Sequence, residues 1–522
     1  MDEAAHGYTA FSLLETGKDE WGISWPINPR SVGDYKPPLY AYLTILPIKL
    51  FGLNEFAVRL PSALGGVFSV VLVYFLIIEL FKSGLLAILS SLFLAISPWH
   101  ISLTRGAFEM SLACFLVPLG LLFFFKGEKN KNFLILSSLV FGLSLFASHS
   151  LRYYVPFVLI TLFLFKRKKF IGNLKDYLLP LAILLLLFFL NFYAVFTGGK
   201  TRVADIGIFS PTDKWQVVSD RQYEARILGM PSFAERIFNN KLVYVLCQFY
   251  KNYLGYFSFD FLFTKGPSEA TYGMIPGRGV LYLFELPLLI VAIWQIFQKK
   301  DKKMFLILIL LLWAPIPAAM AKGERAGGRA GTMLPFLPII SAYGGIELWR
   351  WTKKKFQDKS FYFLGFYCLL ILLSLAFFLE DYFYHSPKYN APAMAYGWKE
   401  AMEYIKENED KYEHIVISRR FSEPQVAIAF YKPWDPADFQ RQAKDWLKYE
   451  KMGFGFVDQL SQYELGKYVF RNFQFPEDLA LTKTLFVGKD EDFWGRETGR
   501  ILKTIYYPGP EKKIAIKIVG FK

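Results

Sequence analysis

The chain has 522 residues, 53% of them hydrophobic and 18% aromatic, and a formal net charge of +15. Uncharged apolar runs recur along it, as in Leu178 to Phe196, and that excludes an ordinary soluble globule. The basic residues lie in short loops between those runs rather than on one stripe, which excludes nucleic acid as the reason for the charge.

In chain order, the sequence opens Met1-Asp2-Glu3-Ala4, with neither the basic start nor the apolar core of a cleavable signal peptide. Gly7 to Leu14 predicts a short amphipathic helix lying in the membrane interface. Asp2 and Glu3 precede it, either as solvated acids or as acids held at a membrane surface. Asp34-Tyr35-Lys36-Pro37-Pro38-Leu39-Tyr40 follows. Consecutive prolines hold the residue before them extended, so Lys36 is aimed, as a phosphate ligand or as a snorkelling lysine.

About ten apolar segments come next, over 57–81, 84–98, 107–125, 133–148, 151–165, 177–197, 280–298, 304–321, 331–349 and 361–379. Every second gap is lysine-rich: Lys82; Lys126, Lys129 and Lys131; Lys166 to Lys169 with Lys175; Lys299 to Lys303; Lys353 to Lys359. Those gaps are predicted to be cytoplasmic. The alternate gaps, residues 1–56, the loop 198–279 and the tail 380–522 then lie outside. The aromatic run Phe249 to Phe257 in that loop predicts an interfacial anchor, with sugar stacking as the weaker alternative.

Counting the Lys36 segment, four external turns each offer a cation. Ser97-Pro98-Trp99-His100 leads to Arg105 and Glu109, four apart and on one helical face, a structural ion pair or an intramembrane functional pair. His149 and Arg152 mark another turn, and Arg325 and Arg329 a further one. Together these cations suit a negatively charged lipid headgroup.

The tail predicts a small α/β domain, with a helix near Ala395 to Glu409 and strands at His414 to Ser418, Thr484 to Val487 and Lys513 to Val519. The expected division is 1–56 as an external first loop, 57–380 as the membrane domain and 381–522 as an external α/β domain. No Walker motif, dinucleotide fingerprint, HExxH or CxxC is present, and three scattered cysteines (Cys114, Cys247, Cys368) give no disulfide framework.

The order Asp2-Glu3-Ala4, Gly7-Tyr8, Asp34-Tyr35-Lys36-Pro37-Pro38-Leu39, Arg59-Leu60-Pro61-Ser62, Ser97-Pro98-Trp99-His100 resembles the membrane glycosyltransferases of the GT-C fold. It is most similar to the group related to protein O-mannosyltransferases and lipid A aminoarabinose transferases. Phe261-Leu262-Phe263, Phe284-Glu285-Leu286-Pro287 and Leu334-Pro335-Phe336-Leu337-Pro338 extend the resemblance; the tail matches only loosely.

The resemblance implies an α-helical polytopic protein with a small C-terminal external α/β domain and a transmembrane helix ahead of Asp2, which this sequence does not contain. It implies a polyprenyl-phosphate-linked sugar donor and transfer on the external face to a protein, lipid or glycan. Asp2 carries over as the base with Glu3 beside it, Glu109 as a second acid, and Lys36 and Arg329 as phosphate contacts. Arg105, His149, Arg152 and Arg325 are the further donor-phosphate candidates. Relatives that bind a divalent metal place an acid directly before the lysine. Tyr35 stands there, so no metal is assigned to any residue. The alternatives weighed are a multi-pass transporter, which would keep its charges on broken helices at the midplane, and a polysaccharide ligase using a diphosphate-linked donor.

Overall fold

The computed structural model describes residues 1–31, 34–197, 207–208, 214–268, 273–323, 325–494 and 499–520. The expected loop 198–279 therefore lies partly outside the described residues, at 198–206, 209–213 and 269–272.

Helix α1 runs over Asp2–Thr16, with two acids in its first turn, where the helix dipole favours them, and a left-handed Gly17 at its end. The antiparallel pair β1 (Arg30–Ser31) and β2 (Asp34–Tyr35) then turns the chain into Lys36, whose N–H donates to the Pro29 carbonyl at 3.0 Å. Pro38 caps α2 (Leu39–Phe51), and the Asn54 side chain caps α3 (Glu55–Phe81) by accepting from the Ala57 N–H.

Each of the ten apolar segments contains a helix. After α3 come α4 (Gly84–Ile96), α5 (Pro98–Arg105), α6 (Ser111–Lys126), α7 (Asn132–Ser144), α8 (His149–Gly172) and α9 (Leu174–Thr197). Later come Glu285–Lys299, Lys302–Trp313, Phe336–Phe356 and Ser360–Glu380. Among the described residues, four stretches are by themselves long and apolar enough to cross a bilayer: Glu55–Phe81, Leu174–Phe196, Lys302–Ala319 and Gly331–Asn390. α4 and α5 make a fifth if counted as one span, bent by 58° where Ser97-Pro98 ends one helix and starts the next. The other apolar helices are shorter.

The lysine-rich gaps meet at one end of the bundle. Lys129 and Lys82 both pair with Glu79, Lys131 with Asp176, and Lys166 with Glu128. Arg59 lies near the opposite end of α3. That helix has 27 residues, so its ends stand about 40 Å apart at the helical rise.

The tail forms a six-stranded mixed sheet in the order β4-β5-β3-β6-β8-β7. Here β3 is His414–Ile417, β4 Gln462–Leu465, β5 Tyr468–Arg471, β6 Thr484–Gly488, β7 Arg500–Tyr506 and β8 Ile514–Gly520. Central β3 is parallel to both neighbours and buries Ile415, Val416 and Ile417, as expected of a strand covered on both faces.

The expected interfacial helix differs in one respect: α1 is covered by protein, not laid on lipid. Eight of its residues are buried. Tyr8 and Trp21 join the hydrophobic core of the tail, with the Tyr8 ring 4.9 Å from Phe439 and its hydroxyl donating to the Trp434 carbonyl. The physical reason is complementarity on both sides: Thr9 donates to Glu20 and the Gln440 amide donates to Ser12 and Thr16, while Ala5 and Tyr8 pack on apolar side chains.

Gly7 is what lets α1 fit. A Cβ there would come within 2.6 Å of Phe430 and 2.7 Å of Val58. Gly7→Val is therefore expected to push α1 off one neighbour, an overpacking cost of about 1–3 kcal/mol. A thermal midpoint in detergent equal to that of the parent protein would show the contact to be slack.

Candidate active site

Helix α1 projects Asp2 and His6, one turn apart, on one face and Glu3 on another. Asp2 meets Lys36, with Nζ 2.5 Å from Oδ1. Lys36 is 8% exposed, whereas the Asp2 side chain keeps 61% of its surface accessible. The pair is therefore reached by solvent from the Asp2 side. The Lys36 ammonium holds Asp2 well below the usual carboxylate range, against burial, which works the other way. Burial also pulls Lys36 down, but the Asp2 and Glu109 carboxylates outweigh it and leave the ammonium firmly charged.

Glu3 points elsewhere. Its carboxylate takes a bidentate pair from Arg59, at 2.8 and 2.6 Å, and the Ala107 N–H at 2.8 Å. Burial raises it, yet those donors keep it below its ordinary value. All its strong acceptor geometry is used in tying α1 to α3 and to the chain after α5.

His6, one turn after Asp2, is buried between Lys36 and Glu109. Its Nε2 lies 3.4 Å from Glu109 Oε1, and its ring packs 5.0 Å from Tyr40. Burial, with Lys36 second, pushes it down to about 3, so it is neutral at physiological pH. Glu109 also acts electrostatically on Arg152. Arg152 in turn contacts His149 Nδ1 at 2.9 Å and donates to the Leu145 carbonyl.

The described structure thus brings together Asp2, Lys36, Glu109, Arg152 and His149, with His6 between. Arg105 faces a different space. Its guanidinium lies 5.1 Å over the Tyr382 ring and lines a cavity of about 630 Å³ whose wall also includes Glu3, Arg59, Tyr396, Glu403 and Tyr431. Arg325 lies 4.0 Å from Asp260, and Arg329 donates to the Lys322 carbonyl at 3.0 Å; neither touches the Asp2–Lys36 pair.

Three groups at the site were not singled out from sequence. His6 follows Asp2 by four residues, the spacing that puts two side chains on one helical face, so a signal existed. Arg59 had one too, as part of the Arg59-Leu60-Pro61-Ser62 motif. Glu423 had none: it comes from the tail, and its charge interacts with Lys36 and Asp2.

Among the described residues, one group has metal-ligand geometry: Glu380, Asp381 and His385, with ligand atoms within 4.8 Å of one another. All three are already engaged, His385 with Glu380 at 3.0 Å and Asp381 with Arg278.

Residues 35–193 match the family of dolichyl-phosphate-mannose-protein mannosyltransferases. No curated protein sequence matches the chain. Among solved structures, ArnT from Cupriavidus metallidurans bound to undecaprenyl phosphate aligns over 99% of this chain and 93% of its own, at 12% identity and a TM-score of 0.51. The apo state of the same protein aligns over 99% and 92%, at 12% identity and a TM-score of 0.53. The chain therefore has the GT-C fold seen in ArnT and carries, over residues 35–193, the sequence pattern of the dolichyl-phosphate-mannose-protein mannosyltransferase family.

Proposed function

We propose that this protein is a membrane glycosyltransferase that moves a hexose or pentose from a polyprenyl-phosphate-linked donor to a hydroxyl on a protein, lipid or glycan. The observation that carries this reading is the Asp2–Lys36 pair, a fixed cation bonded to an accessible carboxylate at the bundle end opposite the lysine-rich loops. The matched family acts with dolichyl-phosphate mannose by its description, and ArnT has been solved with undecaprenyl phosphate bound. By the lysine-rich gaps, residues 1–56, the loop 198–279 and the tail 381–522 are placed outside the cytoplasm, with 57–380 as the membrane domain.

The reaction is a single displacement. The acceptor oxygen attacks the anomeric carbon, its proton passes to Asp2, and the bond from that carbon to the phosphate oxygen breaks with its electron pair leaving on the phosphate. Lys36, backed by Arg152, stabilises the charge on that leaving group. One base is enough, and inversion at the anomeric carbon follows. Glu109 orients the acceptor or, through His6, the Asp2 turn.

The Lys36 ammonium is bonded to Asp2. Donor phosphate joins Asp2 at that ammonium, so the lysine faces the leaving group while it still keeps the base ionised.

Purified protein incubated with radiolabelled polyprenyl-phosphate sugars and a membrane extract is expected to transfer label to an extract component. Uptake of labelled solute into vesicles without any such transfer would replace this reading with a transporter. Within the site, Glu3→Gln is expected to keep turnover within about tenfold of the parent, because it loosens a brace and leaves the general base in place. A loss as deep as that of Asp2→Asn would move the base to Glu3.

A further inference from the structure

We infer that Glu423, supplied by the C-terminal α/β region, is a sugar-recognition residue of this site that accepts a hydrogen bond from a hydroxyl of the donor's sugar. The inference rests on the function proposed above. Its basis is the way the tail docks on α1. The helix Pro424–Tyr431 lies beside α1 and runs in the same sense: Val426 packs on Ala4 and Ala5, and Phe430 on Gly7. Tyr8 then reaches Trp434 and Ser12 reaches Gln440. Extending that register backwards sets Glu423 opposite the first two residues of α1, where Asp2 holds Lys36.

Glu423 is unusual at that place. Its backbone is left-handed (φ 53°, ψ 48°), a conformation that non-glycine residues seldom adopt, and Pro424 follows directly. The Asp458 carboxylate lies beside the backbone of this turn. Among the described residues, no donor hydrogen-bonds its carboxyl, although the side chain is half-buried. The charged groups facing it are Lys36, Asp2, Asp458 and the N-terminal ammonium. Burial, only partly opposed by Lys36, pushes the carboxyl up to about 7.

A strained, half-buried acid with no donor satisfying it is ready to accept one from a ligand. The chemistry of the donor says which. Lys36 is the proposed phosphate contact, and the sugar is joined to that phosphate through a single oxygen. Whatever lies next to Lys36 on the side of the tail therefore meets the sugar ring rather than the lipid chain, and a sugar presents hydroxyl donors there. Glu423 sits on that side.

The test compares two ligands on the full-length protein in detergent: bare polyprenyl phosphate and the best-bound member of a panel of polyprenyl-phosphate hexoses and pentoses. Glu423→Gln keeps the shape and removes the charge. It is expected to weaken the sugar-bearing lipid about tenfold, the loss of a hydrogen bond to a charged acceptor, while bare lipid binds equally well or slightly better. The preference of the parent protein for sugar-bearing over bare lipid should rise between pH 6 and pH 8 as the carboxyl ionises, and be flat in Glu423→Gln. Glu423→Asp should restore part of both effects.

Equal changes for the two lipids, or no change in either, would overturn the assignment, as would an unaltered pH dependence. A parent protein that binds neither lipid overturns the proposed function itself, and this inference with it. A structural role alone would shift the thermal midpoint without separating the two ligands.

Discussion

Asp2→Asn protein is expected to fold, to bind polyprenyl phosphate at least as well as the parent, and to transfer sugar about 10²–10⁴-fold more slowly, the usual contribution of a positioned general base. The asymmetry between binding and turnover is the informative part. Asp2 lies 2.5 Å from the Lys36 ammonium, so an uncharged amide there leaves the lysine more available to phosphate. Donor KM should therefore stay level or fall while kcat collapses, which marks an interaction needed in the transition state and not in the ground state. The neighbouring acids set the control. Glu3 is committed to Arg59 and the Ala107 N–H, and Glu109 reaches the Asp2 turn through His6, so neither stands ready to take the proton instead. Single-turnover rates with saturating donor measure the effect. A rate within a few-fold of the parent would remove Asp2 from the chemistry.

Why Asp2 and Glu3 differ so much could not be read from two adjacent acids. On a helix they point about 100° apart, one towards Lys36 and the other towards Arg59, and only the packed positions of those cations separate their roles. Other parts were legible because they depend on local chemistry. Ten apolar segments need only hydropathy, and the alternating lysines need only counting. Lys36 announced itself through Pro37-Pro38, whose stiffness survives in the fold. Helix length was less visible: the Ser97-Pro98 break splits α4 from α5, and α6 and α7 stop short of a full span.

The tail shows where local reading fails. Its strands β3 and β8 are rich in β-branched residues and β6 is a short apolar run, so they stand out, while β4 and β5 are four residues each around a tight Gly466-Lys467 turn. β5 is held by pairing with β3, which lies far earlier in the chain, and β4 pairs only with β5. The docking of the tail on α1 is more distant still, since Tyr8 and Trp434 are 426 positions apart. No periodicity announces such a contact, which is why Glu423 carried no signal and α1 looked like a surface helix.

Lys36→Met is expected to have the second large effect, and a different one. The side chain is buried, aimed by the β1–β2 pairing and the prolines, and methionine fills similar volume. What is lost is the charge. Truncating one member of a buried charge pair with phosphate costs about 2–5 kcal/mol, so donor affinity should fall between about 30-fold and several thousandfold. The pH profile should change as well. In the parent protein the ammonium keeps Asp2 ionised well below the usual carboxylate range, so acidification to pH 5 does not protonate the base. Without Lys36, burial is no longer overridden, and Asp2 takes up its proton at higher pH than before. A base must be unprotonated to act, so residual turnover in Lys36→Met should decline as pH falls towards 5, where the parent shows no loss from this group. The two effects separate in one experiment: donor titrations give the phosphate contact, and single-turnover rates at saturating donor across pH 5–8 give the coupling to Asp2. Undiminished donor affinity would deny Lys36 its phosphate. An unchanged pH profile would mean that the ammonium and the base do not share a proton equilibrium once the donor is bound.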